Sequence, residues 1–343
     1  MIHPSHIILG SGNKRKREAA EEETGHKRYM KDLGILGCPS DLARSFKQSS
    51  HEPIFLNHRP LSSSGIPTEL LHPIFGEFLD LCQNAEPTVE DFCFVNVLSE
   101  SMSKYYDKET ERAQKFRDCF KDYFHINFPC IEFDDGSRTD GTWFPNPNDN
   151  FIGMNAEVKK EPGTGGNPHI QNIAYYKQYL LQNQDRAEKF RLPCFLIQVN
   201  GPELSISTAI YGNKITVDPY HYTLSLACPR SRFEDFARIF CALKKAIVLL
   251  QQYYDDPTPA SQREFPYPNS VRMDDNKEIR FKYHSALGPL VFVVDTLENS
   301  QNFPQKLVVK FTQQYPVPLH QHCAKLYIAP EIYGHTRYLA IGT

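Results

Sequence analysis

The sequence predicts an α/β fold in which helices flank a mixed sheet, followed by a small α+β unit. Helix-spaced apolar residues fill 66–81 and 92–106, and a charged helical segment at 107–122 extends or follows the second of these. Short strand-like runs come next, and a continuous apolar stripe over 233–254 predicts a long closing helix. This succession of helices and strands is typical of a layered domain with one main sheet.

The chain is predicted to have three parts. Residues 1–50 are expected to be a flexible tail, 51–255 a first folded domain, and 256–343 a second and smaller one. The second boundary is drawn where prolines interrupt the pattern, at Pro257, Pro259, Pro266 and Pro268. No apolar run approaches the ~20 residues that a membrane span needs, so we expect no membrane partner. Nine scattered cysteines without a CxxC pair predict reduced thiols inside the cell.

Period-two alternation predicts the strands of the first domain. Cys130–Phe133 and Thr139–Phe144 are expected to form a hairpin, and Met154–Lys160 a further strand. A glycine-rich loop then leads into a helix over 170–182. Three more strands are predicted at 194–199, 204–211 and 214–226.

The tail carries a run of four basic side chains, Lys14, Arg15, Lys16 and Arg17. Such a run indicates a nuclear import signal, which an import receptor would bind; the alternative is a solvated charge run. We therefore expect the protein in a nucleus, either that of its own cell or that of a host cell, and otherwise in the cytoplasm. Because the net charge is −3, any surface for nucleic acid has to be a local basic patch.

Side chains that suit metal-assisted hydrolysis lie in the middle of the first domain. Asp140 follows the predicted hairpin turn, and Glu157 and Lys159 are two apart in a strand, so these two project from the same side. Two carboxylates that meet repel each other unless a cation joins them, and Mg²⁺ or Mn²⁺ prefers such oxygen ligands. A lysine beside the metal can orient or deprotonate the attacking water and steady the charge on a phosphodiester.

Three further residues extend the pattern. Gln171 and Tyr175 share one face of the following helix, and Glu100 lies late in an upstream helix. The order of helix Glu, Asp, strand Glu-x-Lys and helix Gln-x-x-x-Tyr resembles the PD-(D/E)xK restriction-endonuclease-like fold. It is most similar to the branch that contains the RecB and lambda-exonuclease nucleases. The resemblance covers roughly residues 66–254.

The resemblance implies a role for each of these side chains. Asp140 and Glu157 would be metal ligands for Mg²⁺ or Mn²⁺, and Lys159 the catalytic lysine. Glu100 would be an accessory acid, whereas Gln171 and Tyr175 would position the substrate strand of DNA. The chain departs from the family pattern in one place, because Thr139 stands where a proline usually precedes the first aspartate.

The second domain is predicted to be rich in strands, at 279–283, 290–296 and 307–311. The run Leu307-Val308-Val309-Lys310-Phe311 resembles the strand that carries the phosphate-pairing lysine of protein kinases. With the helix and Ala-Pro turn that follow, it resembles the amino-terminal lobe of the fungal-type protein-kinase-like family. In that family and in fungal Crinkler-type effectors, a nuclease-like domain can precede such a lobe. No catalytic-loop or metal-holding motif occurs before Thr343, so we expect Lys310 to support no kinase chemistry.

Two classes of function follow. The first hypothesis is a divalent-metal-dependent nuclease that hydrolyses phosphodiester bonds of DNA. The alternative is a catalytically silent interaction protein whose partner is another protein, or a piece of a longer fungal-type protein kinase. Convergence of the site residues in space would favour the nuclease, that is, of Glu100, Asp140, Glu157 and Lys159. The slight excess of acidic residues favours the interaction protein.

Overall fold

A computed structural model gives the arrangement of most of the chain. It describes residues 27–34, 53–59, 61–146, 151–219, 223–227, 230–272, 277–297, 304–312 and 314–335. The basic run from Lys14 to Arg17 lies outside these residues, so the import signal stays a prediction.

A mixed sheet forms the centre of the larger unit. Its strands are β1 (Phe55–Leu56), β2 (Gly141–Trp143), β3 (Met154–Lys159), β4 (Cys194–Asn200), β5 (Glu203–Tyr211), β6 (Ile215–Pro219) and β7 (Leu224–Ser225). They are ordered β1-β6-β5-β4-β3-β2, with β7 beside β5. The pairs β1–β6 and β3–β4 are parallel, and the other pairs are antiparallel. The predicted α/β class with a mixed sheet is therefore confirmed.

Helices cover both faces of this sheet. The described helices of the larger unit are α1 (27–34), α2 (Thr68–Leu71), α3 (Pro73–Asn84), α4 (Val89–Met102), α5 (Glu109–Phe124), α6 (Pro168–Gln182), α7 (Gln184–Ala187) and α8 (Phe233–Asp255). Rings of Phe75 and Phe78 in α3 pack edge-on against Phe195 of β4, and α8 packs across α3 and α4. On the opposite face, α6 covers β3 and β4, where Asn172 accepts a hydrogen bond from Asn155 at 2.6 Å.

Part of the expected tail belongs to the folded unit. Met30 and Leu33 of α1 are buried in the main core. The Tyr29 hydroxyl donates to the Ile54 carbonyl at 2.8 Å and accepts from the Ile215 amide at 3.0 Å. The prediction of a tail over 1–50 is therefore wrong for 27–34, because eight residues are too few to show a helical period above their polar surroundings.

The predicted hairpin is confirmed in part, because the two segments form backbone hydrogen bonds around the expected turn. Strand β2 pairs with β3, whereas Glu132 and Arg138 form only an isolated bridge. The Thr139 amide donates to the Ile131 carbonyl at 2.9 Å, but the Ile131 amide donates to the Thr139 side-chain hydroxyl at 3.0 Å, so the pairing is limited to this bridge. The result places the segment that contains Asp140 directly on β3.

A single helix was also expected over 66–81, and the chain forms two. His72 is extended (φ −149, ψ 132) and separates α2 from α3, with Pro73 in the first helical position of α3. Proline lacks the N–H that would continue the first helix, so the break occurs at this residue.

The carboxy-terminal residues form a separate antiparallel sheet. Its strands are β8 (Ser270–Arg272), β9 (Glu278–Gly288), β10 (Val291–Thr296) and β11 (Lys306–Lys310), followed by helix α9 (Val317–Lys325). Its small core contains Phe265, Phe281, Tyr283, Phe292 and Val294. The proline-rich link packs on the larger unit, because the Arg191 guanidinium donates to the carbonyls of Gln262 and Phe265 at 2.7 and 2.8 Å. Among the described helices, none has the length and apolar character needed to cross a membrane.

Candidate active site

Asp140 lies beside the middle of β3. Since Gly141 pairs with Ala156 in the antiparallel register, the residue before β2 lies opposite Glu157. The Asp140 carboxylate accepts a hydrogen bond from the Val158 amide at 2.8 Å, and its own amide donates to the Ala156 carbonyl at 3.3 Å. These backbone bonds hold the carboxylate next to Glu157.

Glu157 and Lys159 form a buried ion pair on one side of β3. The Lys159 Nζ lies 2.7 Å from Glu157 Oε1, and the two side chains are 7% and 3% exposed. The expectation that both project from the same side of the strand is confirmed. Glu109, the first residue of α5, adds a third charge, with its Oε1 3.1 Å from the same Nζ.

The upstream acid at this place is Glu109, not the predicted Glu100. Glu100 is exposed on α4, and its carboxylate accepts a hydrogen bond from Asn96 one turn earlier. Glu109 instead begins the next helix, α5, which packs against β3. Glu109 was missed because it lies in a strongly charged segment that resembles a solvated surface.

The charges of the site perturb one another. Burial, followed by the charge of Asp140, raises the pKa of Glu157 to about 8. Burial also raises the pKa of Asp140, although the hydrogen bond from the Val158 amide opposes it. Burial by itself would lower the pKa of Lys159, but its ion pairs with Glu157 and Glu109 outweigh this and raise it. The lysine therefore keeps its proton, while the two carboxylates repel each other.

A buried polar chain connects this site to α6. Thr142 donates to the Asn155 amide oxygen at 2.7 Å, Asn155 donates to Asn172 at 2.6 Å, and Asn172 donates to the Ile197 carbonyl at 2.7 Å. A satisfied network of buried polar groups holds its members in one arrangement. This chain fixes the segment around Asp140, strand β3 and helix α6 relative to one another.

The predicted Gln-x-x-x-Tyr pair, Gln171 and Tyr175, lies on α6, the helix that covers this face of β3 and β4. The Tyr175 ring stacks on Phe133 with centroids 5.8 Å apart, and burial followed by the charges of Glu157 and Asp140 raises its pKa. Gln171 lies one turn earlier, and its Oε1 is buried without a hydrogen-bond partner among the described residues. The structure thus places Tyr175 near the carboxylates and Gln171 one turn earlier on the same helix; their role toward a substrate stays a prediction.

Two glycines form the wall of the site. A Cβ on Gly165 would lie 3.1 Å from the Lys159 side chain, and a Cβ on Gly166 would lie 3.2 Å from Gln171. Larger residues would crowd both side chains, so this loop packs close to the site because it lacks side chains of its own.

The carboxylates of Asp140 and Glu157 are the oxygen ligands that this site offers to a divalent cation. Among the described residues, no group of three or more His, Cys, Asp and Glu side chains could hold a metal ion. Mg²⁺ commonly takes only one or two protein carboxylates and completes its shell with water and phosphate oxygens. Glu157 Oε2 is buried and has no hydrogen-bond partner in the described part of the chain, which leaves it free to act as such a ligand.

Comparisons with known proteins identify no relative. No family model, no curated protein and no solved structure matches this chain. The geometry of Asp140, Glu157 and Lys159 is therefore what points to a function.

The predicted kinase-like lysine has a different environment. Lys310 is exposed at the end of β11, and its ammonium lies 5.4 Å from the ring centre of Tyr315. In the described contacts no carboxylate pairs with it. Its relation to a kinase lobe stays a prediction.

Proposed function

We propose that this protein is a divalent-metal-dependent nuclease that hydrolyses phosphodiester bonds of DNA. The observation that carries the proposal is the buried Lys159, whose ammonium lies 2.7 Å from Glu157. The charge of the neighbouring Asp140 raises the pKa of that same glutamate. Strand β3 places the lysine and glutamate together, and the turn before β2 adds the aspartate. Perturbed carboxyl pKa values of this kind concentrate at functional sites.

Each side chain has a distinct task in this proposal. Asp140 and Glu157 would hold Mg²⁺ or Mn²⁺, which supplies charge stabilisation for the phosphate and lowers the pKa of water. Because its pKa is raised, Lys159 acts as a hydrogen-bond donor that orients water and stabilises negative charge, not as a base. Glu109 holds the Lys159 ammonium from the other side at 3.1 Å. Gln171 and Tyr175 would contact the DNA strand.

The test is a cutting assay with linear and supercoiled DNA in Mg²⁺, in Mn²⁺ and in EDTA. We expect cutting only with metal. Lys159→Met and Asp140→Asn should each slow it by on the order of 10³-fold, since one removes charge stabilisation and the other a metal ligand.

Two matched variants serve as controls in that assay. Lys160→Met removes the neighbouring lysine, whose ammonium donates to the Asp107 carbonyl at 3.0 Å, and Glu100→Gln removes an exposed acid. Both should cut DNA normally. Undiminished cutting in EDTA, or in folded Lys159→Met and Asp140→Asn proteins, would contradict the proposal.

A silent interaction protein is the second candidate. The observation that favours it is the position of the Lys159 ammonium between two carboxylates, which neutralises part of the site without a cation. A folded wild-type chain that cuts no DNA with either metal and binds no Mn²⁺ would contradict the nuclease and favour this candidate.

A further inference from the structure

Strand β4 places Gln198 directly beside the glutamate of the site. The parallel register pairs Glu157 of β3 with Gln198 of β4. Paired residues of adjacent strands project from the same face of a sheet, so both side chains lie on the face that α6 covers. Glu157 is 3% exposed and Gln198 is 4% exposed.

Each of the two side chains has one polar atom without a partner. Glu157 Oε2 is a buried acceptor and Gln198 Nε2 a buried donor, and neither has a hydrogen bond among the described residues. Buried polar atoms are hydrogen-bonded in the large majority of cases. An unpaired donor and an unpaired acceptor on adjacent strands are therefore an unusual and complementary combination.

The other end of the Gln198 amide is anchored on β5. Its Oε1 accepts hydrogen bonds from the Ser205 hydroxyl at 3.0 Å and from the Ser207 hydroxyl at 3.4 Å. These bonds fix the oxygen end toward β5. The NH₂ end is left for a partner on the opposite side, where β3 and Glu157 lie.

We propose that Gln198 is a positioning residue that donates a hydrogen bond to the Glu157 carboxylate in the metal-loaded site. This inference rests on the proposed function. In the structure, Lys159 occupies the other oxygen of Glu157. A metal would take a lone pair of Glu157 Oε2, and a hydrogen bond from Gln198 Nε2 to the same carboxylate would keep it oriented toward the metal. Carboxylates that bind metals are commonly held by such hydrogen bonds from neighbouring groups.

The experiment measures Mn²⁺ binding to the full chain without DNA, by isothermal titration or by the electron paramagnetic resonance signal of free Mn²⁺. Gln198→Met keeps the length of the side chain but removes the donor. We expect it to bind Mn²⁺ on the order of 10-fold more weakly than wild type, the usual effect of removing such a partner. The Mn²⁺ concentration for half-maximal DNA cutting should rise by the same factor, while KM for DNA is unchanged. Gln252→Met, at an exposed glutamine of α8, should match wild type.

The outcomes separate this inference from the proposed function. If Gln198→Met binds Mn²⁺ like wild type while Glu157→Gln does not bind it, the metal site stands and the role of Gln198 is refuted. If wild type binds no Mn²⁺, the proposed function falls and this inference falls with it. If Gln198→Met does not fold, Ser205→Ala replaces it, because losing one anchor of the amide should weaken Mn²⁺ binding by about two- to threefold. Unchanged binding in Ser205→Ala would then refute the inference.

Discussion

Lys159 in the large sheet and Lys310 in the small sheet are each the last residue of a strand, yet their environments are opposite. Lys159 is 7% exposed and lies between two carboxylates. Lys310 is exposed and contacts an aromatic ring. Of the charges around Lys159, Glu157 lies on the same strand, whereas Glu109 comes from α5 and Asp140 from the turn before β2. A lysine at a strand end thus acquires its chemistry from tertiary neighbours together with the residue two positions earlier on its own strand.

The largest expected difference between the two sheets concerns stability. Phe195→Ala removes a fully buried ring that packs on Phe75 and Phe78 with centroids 5.5 and 5.1 Å away, and should lower the free energy of unfolding by about 3–5 kcal/mol. Val308→Ala shortens a side chain of β11 that is 62% exposed. It should change the free energy of unfolding by less than about 0.5 kcal/mol. Denaturation by urea measures both. Similar losses would mean that the small sheet is buried against another surface.

A smaller expected effect is that Glu157 makes the free energy of unfolding depend on pH. Burial and then the charge of Asp140 raise the pKa of Glu157 from its ordinary value of 4.5 to about 8 in the folded chain, although the contact with Lys159 opposes the shift. Between these values the folded chain holds a proton that the unfolded chain has released. In EDTA the free energy of unfolding should therefore fall as pH rises from about 5 to 8, by on the order of a few kcal/mol.

Denaturation curves of wild type and Glu157→Gln at several pH values between 5 and 8 test this expectation. The Gln variant should lose most of the slope, and Mg²⁺ should restore wild-type stability at pH 8 because it takes the place of the proton. Glu100→Gln, an exposed acid, serves as the control and should keep the slope. Equal slopes in wild type and Glu157→Gln would show that Glu157 is ionised throughout this range.

The sequence predicts the site residues on the sheet better than the acid that a helix contributes, Glu109. Asp140, Glu157 and Lys159 lie on β3 or on the turn that pairs with it, so strand alternation and local order suffice to bring them together. The choice between Glu100 and Glu109 depends on how the chain turns between α4 and α5. That turn is held by Arg112, which is fully buried and donates to the carbonyls of Met102, Lys104 and Gly201, each at 2.7 Å. A buried arginine in a highly charged segment has no sequence signal.

Whether a helix can be predicted depends on how long its apolar pattern is. The stripe over 233–254 is long, and α8 buries it along nearly its whole length. Helix α1 has only eight described residues and two buried apolar side chains, so the tertiary core and not its periodicity holds it. Gln198 could not be predicted from the sequence. Its importance comes from its unpaired Nε2 and from its place beside Glu157 on the neighbouring strand, and the pairing of strands cannot be read from one stretch of sequence.

The smallest expected effect concerns Lys310, for which we predict none. A useful nucleotide site needs a cleft that buries the base, whereas β11 presents this lysine on an exposed surface, with its ammonium 5.4 Å from the Tyr315 ring centre. An exposed ammonium gains little from a phosphate, because water and salt screen the charge. Isothermal titration with Mg-ATP should therefore show no saturable binding in wild type or in Lys310→Met, and both should cut DNA equally. Lys306→Met, an exposed lysine at the start of the same strand, is the matched control. A micromolar Kd that disappears only in Lys310→Met would mean that the small sheet binds nucleotide, and the contrast between the two lysines would then be one of ligand and not of burial.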